Sequence, residues 1–478
     1  MESLDRKAML GHKVRRFRMD TGLSQTEMAA QIGISPSYLN LIEHNQRPVT
    51  VPLLFKLGQT FEIDLKAFAE DDDQRLAAGL SEVFGDTLFE GQRVSDREIR
   101  ELVGAAPAAA QGVLSLYRAY RQLWDTAQAL AHREGGDGGL EASMSVAPVE
   151  EVRDFLQAEN NYFDPMERLA EQVWEAAKLD RDALFVGLRD HIERDHGIGV
   201  RVMPVEVMGD TLRRWDHHRR RILISEALLA SGRVFNLAVQ FVLITERDLL
   251  DDLVDRAGLS GDEARGLLRA TLAAYFAGAL MMPYAPFLKA AQELRYDVEL
   301  LRRRFGASFE QVCHRLTTLQ RPGARGVPFF FLRIDNAGNI SKRLSGGGYH
   351  FARFGGTCPR LAVHDVFRTP GQIQTQVAGL PDGTTLFLLA RTLDVSGGGR
   401  DPLQPRYAIA LGCEWKEAKH LLYADGHDPK RKPAATPAGV SCRVCERLDC
   451  TQRAHPPVNH RLRIDDSMRR TQPFDFAR

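Results

Sequence analysis

Residues 24–47 read SQTEMAAQIGISPSYLNLIEHNQR, and this stretch predicts two short helices joined by a tight turn. Gly33 is expected to end the first helix, because helices often close on a residue that tolerates a positive φ. Ser35 is a good N-cap for the second helix, and Pro36 is a good first helical residue. Two short helices joined through a glycine-containing turn form a helix-turn-helix.

The polar side chains of this motif suit contact with duplex DNA. Leu39 and Ile42 are expected to face inward, which leaves Glu43 outside with the other polar residues of the second helix. Gln25 stands at a helix N-terminus, where N–H groups hold a phosphate, and the second helix can reach base edges in the major groove. The predicted DNA-contacting residues are Gln25, Thr26, Ser35, Ser37, Tyr38, Asn40, Asn45 and Arg47.

Positive charge is concentrated around the motif. Residues 6–56 carry eight Lys and Arg against three Asp and Glu, whereas the 478-residue chain is balanced at 63 of each sign. A basic module on a neutral chain is typical of DNA binding, and an ordinary helical core is the alternative. The motif resembles the helix-turn-helix of the lambda-repressor-like (Cro/C1, Xre) family. Such readers act as two-fold dimers, so we expect a homodimer on a palindromic double-stranded operator.

The length of the chain predicts about three domains. Residues 74–133 have a helical apolar pattern and are our candidate for the dimer contact, with packing inside their own domain as the alternative. The sequence has no apolar run as long as a membrane span (about 18 residues) and no signal-peptide core at its start. We therefore expect a soluble, cytoplasmic protein without membrane contact.

The middle of the chain resembles the ImmA/IrrE zinc-metallopeptidase fold through VFNLAVQFVLITE (234–246) and YFAGALMMP (275–283). That family needs two histidines one helical turn apart, a glutamate beside the first as base, and a third metal ligand from the next helix. The corresponding positions here are Val239, Leu243, Gln240 and Leu272. Apolar side chains cannot bind zinc and glutamine cannot take a proton, so we expect a catalytically inactive scaffold and no enzyme activity.

The C-terminal half carries three longer motifs: 308–343, which begins SFEQVCHRLTT; 353–371, RFGGTCPRLAVHDVFRTPG; and 442–457, CRVCERLDCTQRAHPP. They resemble the short-chain fatty acyl-CoA regulators of bacteria, and the resemblance covers nearly the whole chain. It implies a multidomain protein, mainly α with α+β parts. The implied domains are a lambda-repressor-like helix-turn-helix (1–69), a helical connector for dimerisation (70–140), a degenerate zincin-like domain (148–305) and a mixed α/β ligand-sensing domain (306–478).

An acyl-CoA needs cations and backbone N–H groups for its phosphates, a planar partner for adenine, and a small apolar pocket for the acyl chain. Residues 333–368 carry six Lys and Arg against two Asp, together with glycine pairs and aromatic residues. Buried strands and a second DNA-contacting face are alternatives for the same features. Guided by the resemblance, we predict the ligand-binding residues to be Arg343, Arg353, Phe354, Gly355, Arg360, His364, Arg368 and Tyr284.

Three cysteines cluster near the end of the chain. Cys442, Cys445 and Cys450 include a Cys-x₂-Cys pair, whose thiolates can share one cation, here a structural zinc ion. A closed tetrahedral site needs a fourth ligand, for which Cys358, Cys413 and His455 are candidates. Packed reduced thiols and a redox-active pair are the alternatives.

These observations predict a transcriptional regulator that senses a short-chain acyl-CoA, for example propionyl-CoA or acetyl-CoA. The resemblance implies control of genes for propionate, methylcitrate or glyoxylate-type carbon metabolism. The alternative function is a redox- or metal-sensing regulator that uses the cysteine cluster. A peptidase that cleaves a repressor is a remote third hypothesis, because its metal ligands are absent.

Overall fold

The computed structural model describes residues 11–43, 46–47, 49–61, 72–89, 94–131, 148–346, 357–393, 405–427, 433–442, 445–457, 460–465, 467–468 and 470–476. The chain divides into two compact units, Met1–Tyr117 and Arg118–Arg478. The division falls inside a long helix, Pro107–Ala131. The predicted domain boundaries stay a prediction.

The first unit is helical throughout its described part. Its helices are α1 (Gly11–Asp20), α2 (Gln25–Gln31), α3 (Pro36–Glu43), α4 (Val51–Phe61), α5 (Asp72–Phe84), α6 (Asp96–Ala105) and the start of α7 (Pro107–Ala131). Ser24 caps α2 through a capping box with Glu27, and Gly33 has φ +67° in the turn before α3. The two predicted helices of the helix-turn-helix are therefore present, and the turn uses glycine for the predicted reason.

A small apolar core holds this motif together. Nine buried residues form it: Val14, Met28, Ala29, Ile32, Leu39, Ile42, Val49, Leu53 and Leu57. They come from α1 to α4 and the segment before α4, so each short helix is stabilised by packing on its neighbours rather than by its own length. Leu39 and Ile42 face inward as predicted.

The second unit contains helices and two β-sheets, and the three-stranded sheet lies between two groups of helices in the sequence. Its helices are α8 (Pro148–Ala158), α9 (Asp164–Ala176), α10 (Leu184–His196), α11 (Val205–Met208), α12 (Ala230–Thr245), α13 (Arg247–Arg256), α14 (Asp262–Met281), α15 (Tyr284–Glu293), α16 (Val298–Arg304) and α17 (Phe309–Thr317). Its strands are β1 (Gly199–Met203), β2 (Arg213–Asp216), β3 (Arg221–Ser225), β4 (Phe330–Asp335), β5 (Ile340–Ser345), β6 (Gln374–Gly379), β7 (Thr385–Thr392), β8 (Tyr407–Glu414) and β9 (Thr436–Pro437).

The strands form a three-stranded sheet in the order β1-β3-β2 and a six-stranded sheet in the order β5-β4-β8-β7-β6-β9. In the larger sheet β5, β4, β8, β7 and β6 are antiparallel neighbours, whereas β9 adds a short parallel edge. One buried apolar cluster extends from Val152 to Ala424 and includes residues of both sheets. The hydrophobic core therefore runs continuously across the predicted domain boundary at residue 305.

A buried ion pair fixes three helices of this core to one another. Arg315 on α17 donates to Glu167 on α9 at 2.5 and 2.8 Å, and both side chains are at most 2% exposed. The hydroxyl of Tyr275 on α14 donates to the same carboxylate at 2.6 Å. Burial and this carboxylate raise the pKa of Tyr275 well above its ordinary value, so the phenol stays a proton donor.

In the described residues no single helix is long and apolar enough to cross a membrane; α14 and α15 meet the length and composition test only as a pair, bent by 64°.

Candidate functional site

The polar face of the helix-turn-helix is largely open to solvent. Thr26, Ser37, Asn40 and Arg47 are exposed, and Tyr38 is partly buried beside the apolar core. Ser35 is exposed as well, and its hydroxyl accepts the Tyr38 N–H at 3.2 Å, so it caps the start of α3. Asn45 lies outside the described residues. The exposed set is compatible with reading a DNA groove from α3 and contacting phosphates around it.

Gln25 joins the two helices of the motif. Its amide donates to Glu43 Oε2 at 2.7 Å and to Asn40 Oδ1 at 3.3 Å. The side chain of Gln25 is therefore engaged with α3 in this structure, and its backbone N–H remains at the start of α2, where a phosphate was predicted.

Glu43 was predicted to face outward, and that prediction is wrong. The residue is 4% exposed, and Arg18 on α1 donates to its carboxylate from Nε at 2.6 Å and from Nη2 at 3.0 Å. Burial raises the pKa of Glu43, but hydrogen bonds from Arg18 and Gln25 outweigh burial and hold it below its usual value. The helical periodicity of α3 predicted an outward position for Glu43. That pattern carries no information about Arg18 on α1, which pairs with the carboxylate.

The degenerate peptidase positions lie in the core of the second unit. Val239 on α12 and Leu272 on α14 are at most 2% exposed, and Leu243 packs against the same apolar cluster. Gln240 accepts a hydrogen bond from Arg213 on β2 at 3.3 Å, and Asn236 accepts another from Arg213 at 3.1 Å. Gln240, which stands at the position of the family's base, is thus hydrogen-bonded to an arginine that also binds Asn236.

The predicted ligand residues that the structure describes do not form one cluster. Arg343 on β5 donates to Glu150 on α8 at 2.7 Å, at one edge of the six-stranded sheet. Arg360 donates to Pro437 O on β9 at 3.3 Å, at the opposite edge. Five strand spacings of about 4.8 Å separate these edges, so the two guanidinium groups do not share a phosphate.

The remaining predicted ligand residues occupy different environments. His364 bonds to Thr357 Oγ1 at 2.7 Å, and burial lowers its pKa. Arg368 is 84% exposed and its ion pair with Asp365 is long, at 3.8 Å, so its guanidinium is accessible to a ligand. Tyr284 is 1% exposed; its hydroxyl donates to Ala324 O at 2.9 Å. Tyr284 is therefore held in the core beside the loop after α17. Arg353, Phe354 and Gly355 lie outside the described residues.

The cysteines of the C-terminal motif line a small cavity together with a fourth thiol. Cys442, Cys445 and Cys450 share it with Cys358, which was one of three predicted fourth ligands. Cys413 is instead 1% exposed in the main core, and His455 does not line the cavity. Burial raises the pKa of Cys358, and the neighbouring Cys442 and Cys445 raise it further. Of the three candidates for a fourth ligand, Cys358 lines the cavity with the clustered cysteines.

Arginines surround this cavity and no carboxylate lines it. Arg453 is 4% exposed, and it donates to the carbonyls of Cys442 at 2.7 Å and Cys445 at 2.8 Å. Its Nε has no hydrogen-bond partner among the residues that the structure describes, and Arg447 also lines the cavity. A buried cation is costly unless it is hydrogen-bonded, and the backbone carbonyls of Cys442 and Cys445 are hydrogen-bond acceptors for the Arg453 guanidinium. Four thiols are the donor types of a structural zinc site, but among the described side chains no group of three His, Cys, Asp or Glu residues is placed to hold a metal ion. Sequence analysis missed Arg453, since nothing near it in the sequence marks it as buried.

Three models of known protein families match successive parts of the chain. Residues 318–474 match the family model "Short-chain fatty acyl coenzyme A regulator, C-terminal", residues 193–317 match the IrrE N-terminal-like domain, and residues 14–68 match a helix-turn-helix model.

Full-length relatives include a propionyl-CoA carboxylase regulator of Cereibacter sphaeroides, 40% identical over 98% of this chain and 99% of that protein. The HTH-type transcriptional regulators PrpR and RamB of Mycobacterium tuberculosis are each 38% identical. The match covers 97% of this chain and 95% of PrpR, and 98% of both this chain and RamB. A solved structure of a Mycobacterium tuberculosis transcriptional regulator superposes with a TM-score of 0.66 at 39% identity, covering 69% of this chain and 99% of that one. The three parts and their order are shared along the whole length, and the chain therefore belongs to the short-chain fatty acyl-CoA regulator family.

Proposed function

We propose that this protein binds a palindromic operator as a homodimer and changes its DNA affinity on binding a short-chain acyl-CoA such as propionyl-CoA or acetyl-CoA. Its targets would be genes of propionate, methylcitrate or glyoxylate-type carbon metabolism. The observation that carries the proposal is the joining of a helix-turn-helix to a C-terminal part that matches the acyl-CoA regulator model over residues 318–474. The names of the full-length relatives support the same effector class.

The proposed mechanism is a population shift. Acyl-CoA would bind one conformation of the second unit better than another, and that conformation would favour or disfavour DNA binding. A tenfold change in operator affinity requires only about 1.4 kcal/mol of coupling. In this family member the middle domain would contribute packing and binding surface, because the metal-ligand positions are filled by Val239, Leu243 and Leu272.

Titration of the full-length protein with propionyl-CoA, acetyl-CoA and free CoA tests this proposal. We expect saturable binding of propionyl-CoA and acetyl-CoA. Each thioester should also change the affinity of the protein for its operator, over the same range of concentrations in which the thioester binds. Arg368→Ala should weaken acyl-CoA binding, because this exposed cation has only a distant acidic partner. Arg168→Ala, at an exposed position on α9, is the matched control. A protein that binds its operator but ignores all three compounds would contradict the proposal.

A thiolate-bound metal centre is the second candidate function, and the convergence of Cys358, Cys442, Cys445 and Cys450 favours it. Bound zinc would hold the C-terminal loops together, whereas iron would favour the redox- or metal-sensing alternative. Elemental analysis of purified protein should find metal that is lost in Cys445→Ser and retained in Cys413→Ala. Protein that folds and binds DNA without any metal would reject this second candidate.

A further inference from the structure

A strongly basic surface lies on the small three-stranded sheet, far from the helix-turn-helix in sequence. We call it the basic sheet surface and define it by Arg201, Arg214, Arg219, Arg220 and Arg221. All five side chains are exposed, as are His217 and His218 in the turn between β2 and β3. Residues 213–221 contain five Arg and one acid, Asp216, in a chain whose overall charge is zero.

Strand register places Arg201, Arg214 and Arg221 on one face, and Arg219 and Arg220 lie in the adjoining turn. Arg201 on β1 and Arg214 on β2 both pair with Leu223 on the central strand β3, so the three residues form one row across the sheet. Side chains alternate along a strand, and the intervening Ile222 and Ile224 are fully buried on the opposite face. The basic sheet surface is therefore the solvent side of the sheet, and its other side packs on the core.

The charges of this surface are only partly balanced. Arg201 lies 3.0 Å from Glu193, and Arg219 is 3.8 Å from Asp216, whose carboxylate also accepts the Arg219 N–H at 3.1 Å. Arg220 donates to the carbonyl of His196 rather than to an acid. Arg214 and Arg221 have no ion pair within the described part of the chain. Net positive charge therefore faces solvent here.

We propose that the basic sheet surface binds the phosphate backbone of duplex DNA beside the operator. Guanidinium groups bind phosphate oxygens in a bidentate manner, and contacts to the backbone need no base recognition. The surface is a sheet face with cations across three strands, whereas a small-molecule ligand is normally enclosed in a concave, largely apolar pocket. A protein partner would need an apolar anchor at the centre of its interface, and Leu223, the central apolar residue, is only 8% exposed.

This inference rests on DNA binding by the helix-turn-helix and adds phosphate contacts from the second unit. Counterion release then predicts a measurable effect. Each phosphate contact adds about 0.9 to the slope of log K against log salt concentration for duplex DNA. In the proposed homodimer the loss of Arg214, Arg219 and Arg221 removes six cations, so the slope of full-length protein should fall by as much as about 5.4, with little effect on sequence preference.

The experiment compares wild type with Arg214→Ala/Arg219→Ala/Arg221→Ala on two duplexes. One carries the footprinted operator with about one helical turn of extra DNA at each end, and the other ends at the footprint made by the helix-turn-helix. We expect the triple variant to bind the long duplex more weakly and with the smaller slope, and to match wild type on the short duplex. Arg168→Ala/Arg303→Ala/Arg304→Ala removes three cations elsewhere on the second unit and is the control.

An unchanged slope on the long duplex would overturn the inference, as would an equal loss in the control variant. An unchanged slope with weakened propionyl-CoA binding would also overturn it and would assign the cations to the phosphates of that ligand. If wild-type protein binds neither duplex, the DNA-binding proposal fails as well. If wild-type protein binds both duplexes and the triple variant binds each with the same affinity and slope, only the proposal for the basic sheet surface fails.

Discussion

Glu43→Gln is expected to loosen the helix-turn-helix, because it removes a negative charge that is buried among its helices. The carboxylate accepts two hydrogen bonds from Arg18 and one from Gln25, and its side chain is fully buried. Glutamine keeps the shape and leaves Arg18, which is 14% exposed, without a counter-charge. Breaking a fully buried pair costs about 3–5 kcal/mol. Arg18 retains some solvent and the Leu23 carbonyl, so about 2 kcal/mol is expected here.

Hydrogen exchange of the full-length protein measures this loss. A cost of about 2 kcal/mol should raise the opening equilibrium of amides in α2 and α3 roughly 30-fold. The pKa of Glu43 is lowered in the folded protein, so the pair stabilises above the unfolded pKa and is lost as pH falls through the folded pKa. The difference between wild type and variant should therefore shrink in acid.

Glu101→Gln is the matched control, since it breaks an exposed pair with Arg97 in the same unit. Exposed pairs contribute about 0.2–1 kcal/mol, so its amides should exchange almost as in wild type. The reasoning is refuted if Glu43→Gln and Glu101→Gln have the same effect, or if the Glu43→Gln effect is unchanged in acid.

Three further predictions concern packing and recognition. Glu167→Gln should destabilise the second unit by about 3–5 kcal/mol and lower its melting temperature, because it leaves the buried Arg315 charge unpaired. Gly412→Ala should cost about 1–3 kcal/mol in urea unfolding, since a Cβ there would stand 2.3 Å from the Phe330 ring; Gly266→Ala, in an open helical position, should instead stabilise by about 0.5–1 kcal/mol. Asn40→Ala should reduce discrimination between operator and scrambled duplex by about 1–3 kcal/mol in competition binding, and equal loss on both sequences would contradict a base contact.

Capping and turn residues in the sequence correctly predicted the two helices of the helix-turn-helix. Ser24 and Gly33 act through hydrogen bonds and dihedral angles that involve residues within one turn, so their effect is visible in the sequence. The long C-terminal motifs likewise indicated the family before any contact was known. At the positions of the peptidase ligands, apolar residues such as Val239 indicated an inactive scaffold by side-chain chemistry alone.

Contacts between distant residues were decided only by the tertiary structure. Cys358 joins Cys442 and Cys445 because β6 and β9 pair at one sheet edge, and no spacing rule distinguishes it from Cys413. The same strand order places Arg343 and Arg360 at opposite edges of the sheet. Both had been assigned to one ligand site because they lie in the same basic stretch of the sequence. Helix caps and turns depend on neighbours in sequence, whereas sheet order and charge burial depend on which remote segments the hydrophobic core brings together.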